Sequence, residues 1–200
     1  MSYFKLLFNL CYESKVYVGL WAASLFLEME KEMYPLNTDI NLETHIHQCH
    51  HLKFEEGVLS INVRTALYHC LQLNDPKAFE EKLGMIQKWQ ARAEELDNRN
   101  LIYNAVLVQA ILESLFYSKE KANELFFVIQ KFLDSILGTF PELKFQFFFS
   151  LNLLRLGRKL TIQESVLLGM ARKKFKGLSQ YNPTNFEHFH YFLEAEWSRF

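Results

Sequence analysis

Glycine and proline are scarce in this chain, at 7 and 4 among 200 residues. The many tight hairpins of an all-β sandwich need more turn formers than that, and the sequence contains no GxGxxG or other Gly-rich phosphate loop. Cysteine is equally sparse. Cys11, Cys49 and Cys70 are an odd number without CxxC spacing, which excludes a disulfide framework and points to reduced thiols in a cytoplasmic protein. No charge of one sign prevails. Lys and Arg number 22 against 23 Asp and Glu, a net charge of -1, so no global field draws the chain to nucleic acid or to an anionic membrane. The longest apolar run, Val16 to Leu27, stops at twelve residues, where a membrane span needs about 20. The N-terminus also lacks the basic region and small-residue cleavage site of a secretory signal.

What is abundant is aromatic. Phe 19, Tyr 9 and Trp 3 make 16% of the chain and the hydrophobic fraction is 50%, which excludes disorder and supplies a sizeable core. The spacing of these residues predicts an all-α fold. Val63, Ala66, Leu67, Cys70 and Leu71 mark one face of a helix over about 58–73. Asp75-Pro76 caps and starts the next, about 76–96, with Phe79, Leu83, Ile86, Ala93 and Leu96 on its stripe and Trp89 beside it. Residues 99–117 are apolar on more than one face, as in a helix packed between neighbours.

Further helices are expected over about 119–137, ending at Gly138, and 141–157, opened by Thr139-x-x-Glu142, carrying Phe145, Phe148, Phe149, Leu153 and Leu156, and closed by Gly157. Thr161-x-x-Glu164 opens another to about 180, and Asn182-Pro183-Thr184-x-x-Glu187 opens the last.

Paired up, these helices start hairpins near 58, 99, 141 and 184, at offsets of 41, 42 and 43 residues. That regularity predicts an α-solenoid of antiparallel helix hairpins, tetratricopeptide-like, with a period of about 41–43 residues, built as a single domain over 1–200. Residues 1–57 form a less regular N-terminal part: segments 2–13 and 15–33 read as one more helical pair, and 34–51 as a loop or short helix. The last helix, with Phe186, Phe189, Phe192, Leu193 and Trp197, is as apolar as an internal one and lacks a partner. The chain therefore reads as cut from a longer array at its C-terminus, or as docked on another chain.

Chemistry-bearing clusters are few. His45, His47, Cys49, His50 and His51 gather five potential metal ligands in seven residues; if helical, His47 with His51 and His45 with Cys49 each offer half of a zinc site. No second ligand pair stands at metal-site spacing and no HExxH occurs, so the cluster reads as a His-rich connector. The thiols lack a surrounding catalytic motif, no GxSxG exists, and no HRD or DFG triplet marks a kinase, so no catalytic residue and no cofactor is expected. Arg155, Arg158, Lys159, Arg172, Lys173, Lys174 and Lys176 form the one basic patch, read as a solvated face, with an acidic partner and then nucleic acid as the alternatives.

The stretch Pro183, Asn185, Phe186, His188, then Glu194, Ala195, Glu196 and Arg199 resembles the tetratricopeptide-like helical region of large bacterial signalling proteins. In that family a serine/threonine kinase domain and an AAA-type ATPase module precede the helical region, and GAF and histidine-kinase domains often follow it. Pro141-Glu142, Phe147-Phe148 and Ser150-Leu151 are similar to a second family element, and Leu178-Ser179 stand where the family has Trp-Ala. The resemblance, over about 99–200, implies a non-enzymatic regulatory or protein-interaction module whose partners are neighbouring kinase, ATPase or GAF-type modules or a peptide. None of the family's catalytic segments lies in this chain, which would be a fragment, a split reading frame or a short paralogue. Two other readings remain: a helical receptor for a small molecule or peptide, and a metal-binding protein built on the His/Cys cluster.

Overall fold

Every regular element among the described residues is helical, and no strand occurs there. The computed structural model describes residues 9–13, 42–72, 76–135 and 140–200. Residues 9–13 are helical. After them come α1 (Leu42–His51), α2 (Glu55–Gln72), α3 (Pro76–Glu95), α4 (Arg99–Phe116), α5 (Lys119–Ile129), a 3-10 segment (Gln130–Ser135), α6 (Phe140–Arg155), α7 (Ile162–Tyr181) and α8 (Pro183–Arg199). The expected pair over 2–33 lies mostly outside the described residues, as do Asp75, Gly138 and Thr139 with the capping roles expected of them. Of the segment 34–51, read as a loop or short helix, residues 42–51 are a helix. One element differs from expectation: the helix from Lys119 tightens into 3-10 geometry after Ile129.

Local chemistry sets several ends. α1 and α3 both stop in a residue of left-handed conformation, Lys53 (φ 56°) and Asp97 (φ 50°). After each, the next N–H reaches back five residues, Phe54 to the Cys49 carbonyl and Asn98 to the Ala93 carbonyl, so the free carbonyls of the last turn are satisfied. Asn98 then caps α4, its Oδ1 accepting from the Leu101 N–H at 3.1 Å. At α7 the capping box is complete: Thr161 Oγ1 accepts from the Glu164 N–H at 3.2 Å, and Glu164 Oε2 from the Thr161 N–H at 2.8 Å. Gly157, with φ 67°, makes the turn after α6. α8 starts two residues earlier than a Thr184-x-x-Glu187 capping box would place it. Asn182 is its cap, accepting from the Asn185 N–H, because Pro183 needs no partner at the first helical position.

The chain resolves into two compact units, Met1–Val108 and Gln109–Phe200, with the division inside α4. Every residue of α4 from Tyr103 to Ser114 is buried, as its all-round apolar sequence requires. In the first unit α2 packs against α1 and α3. Gly57 is what lets α1 come close: a Cβ there would stand 2.5 Å from the Phe54 ring and 3.0 Å from Cys49 Sγ. Cys49, Val58 and Ile61 form one buried cluster, against which Cys11, Tyr12 and Phe54 pack. Leu59, Ala93 and Leu101 form another, with Trp89, Leu96 and Ile102.

In the second unit α6 is apolar on two faces. Phe145 and Phe149 stack on each other at 5.5 Å and meet Phe126 of α5 at 6.0 and 5.4 Å. Phe147, turned away from them, meets Phe175 of α7 at 5.9 Å and Phe189 of α8 at 4.6 Å. Residues two apart on a helix point about 200° apart, so a helix with Phe at 145, 147 and 149 is built to lie between layers. The sequence reading placed Phe148 in the core stripe; it is only half-buried, and Phe147 is the buried ring. α6 packs against α5, α7 and also α8, and α7 against α8. In chain position the alternate helices α2, α4, α6 and α8 begin at 55, 99, 140 and 183, in steps of 44, 41 and 43 residues.

Candidate interaction surface

Two of the motif residues of α8, Glu194 and Glu196, are structural struts. Leu193 is the buried anchor of the helix, and the two carboxylates beside it reach different neighbours. Glu194 takes a bidentate pair from Arg172 of α7, Nε at 2.9 Å and Nη2 at 2.7 Å. Glu196 accepts from Arg155 Nη2 of α6 at 2.7 Å. These arginines hold both carboxyls below their usual range. Phe186 is half-buried, whereas Pro183, His188, Ala195 and Arg199 are exposed, and Asn185 serves the helix start. The Glu-Ala-Glu spacing thus joins α8 to two helices at once.

The basic patch is spent in the same way. Arg155 pairs with Glu196, Arg158 with Glu164, Arg172 with Glu194, and Lys174 Nζ with Glu142 Oε1 at 2.6 Å. Four of its seven cations therefore face inward partners, leaving Lys159, Lys173 and Lys176 outside the ion pairs of the described residues. Glu164 sits in the tightest of these arrangements. It is buried, Arg158 gives it two hydrogen bonds at 2.6 and 3.0 Å, and the guanidinium with Thr161 lowers its carboxyl to about 2.

The His/Cys cluster is divided by the helix it lies on. His45 and Cys49 are buried, whereas His47, His50 and His51 are exposed, and His51 Nδ1 lies 3.2 Å from the Tyr12 hydroxyl. Among the described residues no three His, Cys, Asp or Glu side chains converge as metal ligands. Cys49 and Cys70 are buried, and burial pushes the Cys70 thiol up, away from the nucleophilic thiolate. Asn152, fully buried, is a packing group: Oδ1 accepts from Ser114 Oγ at 2.8 Å and Nδ2 donates to the Lys119 carbonyl at 2.9 Å. No helix among the described residues is long and apolar enough to cross a membrane.

What remains available is a set of separate aromatic rings on α8 and just past its end, at positions that helical rotation spreads around the axis. Tyr191, Phe192, Trp197 and Phe200 are exposed. The Arg172 guanidinium covers the Trp197 ring at 4.1 Å and Arg155 lies 5.8 Å above Phe192, so ion-paired arginines hold two of these rings from one side. Each ring offers flat apolar area, and the two arginines fix the orientation of Phe192 and Trp197. Periodicity in the sequence does not distinguish these exposed rings from core, since the same rings satisfy a buried stripe. No protein-family model, characterised protein or solved structure matches the chain.

Proposed function

We propose that this chain is a non-catalytic helical-repeat module that binds protein within a bacterial signal-transduction system of kinase and ATPase modules. The observation that carries the repeat reading is α6, partnered on two opposite faces and touching the helix two positions further on. That is how a tetratricopeptide-like solenoid buries units that have no core of their own. The kinase and ATPase context comes from the resemblance of Pro183 to Arg199. The buried thiols and inward-turned ion pairs fit a scaffold, with binding through exposed aromatic area and a cytoplasmic location among signalling partners.

One look at the DNA around the reading frame tests the context. We expect a serine/threonine kinase, AAA-type ATPase or GAF segment to be encoded next to it. A neighbourhood with none of these would remove the signalling part of the proposal.

A further inference from the structure

The first two turns of α7 carry a carboxylate on the inward face and large apolar side chains on the outward one. Its inward stripe is Glu164, Leu168, Ala171 and Phe175, beginning with a carboxylate, and its outward stripe begins with three large apolar residues. Ile162, Val166 and Met170 are 87%, 56% and 65% exposed, at i, i+4 and i+8 on one face. Gly169 and Gly177 lie along the same face, and a Cβ at either would meet nothing within 4 Å, so the surface is low and open beside the three side chains. Charge supplies the second observation. Glu164 is the only carboxylate of α7 and it is buried, whereas Lys173 and Lys176 on this face, and Lys159 just before the helix, enter no ion pair among the described residues.

We infer that the outward face of α7 docks an acidic amphipathic helix of another protein. Apolar residues of the partner at helical spacing would cover Ile162, Val166 and Met170, and its glutamates or aspartates would reach Lys173, Lys176 and Lys159. The open glycine positions admit close approach of the partner's backbone. The inference rests on reading the chain as an interaction module and gives that module a partner class. It uses residues of α7 and not the exposed aromatic rings of α8.

The test uses the full chain and a displayed library of helices about three heptads long, with leucine fixed at the seam and the flanking positions drawn from Glu, Lys and Gln. Selection on the wild-type chain is expected to enrich Glu over Lys at the flanks by about 10-fold. The enriched helices should lose binding to Val166→Asp, an exposed site whose replacement leaves the core untouched, and the Lys173→Glu/Lys176→Glu double variant should reverse the preference to Lys. Circular dichroism of both variants is expected to match wild type. Enrichment without charge preference, or binding that survives Val166→Asp, would overturn the inference. So would a self-association in light scattering that Val166→Asp abolishes, or sedimentation with vesicles of phosphatidylserine and phosphatidylcholine that the lysine variants abolish. If neighbouring kinase or ATPase segments bind wild type and Val166→Asp alike, the inference fails while the module reading stands.

Discussion

Phe147→Ala is expected to destabilise the chain by about 3–5 kcal/mol, among the largest losses from any single substitution. The ring is buried and touches Phe148, Phe175, Phe189 and Phe192, so its removal opens a cavity where α6, α7 and α8 meet. Stabilities of whole domains lie at about 5–15 kcal/mol, so the melting temperature should fall by roughly 10 °C. Phe192→Ala is the control. That ring is 46% exposed, and its loss should cost less than about 1.5 kcal/mol. Equal effects of the two substitutions on the urea midpoint would contradict the layered packing of α6.

Glu164→Gln is expected to cost about 2–3 kcal/mol at pH 7, and its cost should vanish in acid. The amide keeps an acceptor for the Thr161 N–H but loses the charge that Arg158 faces. Because the folded carboxyl is depressed from an ordinary 4.5 to about 2, its contribution is complete above pH 4.5 and is lost as pH falls toward 2. The full shift corresponds to about 3 kcal/mol. Urea midpoints of wild type and Glu164→Gln should therefore differ fully at neutral pH and converge near pH 2. A gap that stays constant across this window would show that the ion pair is not what the capping box contributes.

Local chemistry was the legible part of this fold. Thr161-x-x-Glu164, Gly157 and the 76–95 helix are written in a few adjacent residues, where capping and periodicity act without help from the rest of the chain. Phase was harder. In the run Phe147-Phe148-Phe149 every helical rotation buries an aromatic, and only the positions of Phe126 on one side and of Phe175 and Phe189 on the other leave Phe148 as the half-buried ring. Charge was harder still. Arg155 and Glu196 are 41 residues apart and Arg172 and Glu194 are 22 apart, so the basic run looks like a surface patch until its partners fold onto it.

The candidate surfaces were illegible for a related reason. Ile162, Val166 and Met170 have the same spacing as the buried stripe Leu168, Ala171 and Phe175, and periodicity alone gives no sign of which faces solvent. A clue was present in Glu164, since a capping carboxylate paired with Arg158 was able to turn inward. In the His/Cys segment the i, i+4 pairs form as a helix requires, but burial of one pair and exposure of the other are set by α2 and the Cys49 cluster.

The most direct test of the module reading is isothermal titration of the intact chain with each kinase, ATPase or GAF segment that the proposal expects to be encoded beside it, with ATP present and hydrolysis monitored. The account predicts saturable binding to at least one segment, with a Kd of about 1–10 μM, and no ATP turnover by the chain alone. Absence of binding to every segment, or nucleotide hydrolysis by the chain itself, would contradict it.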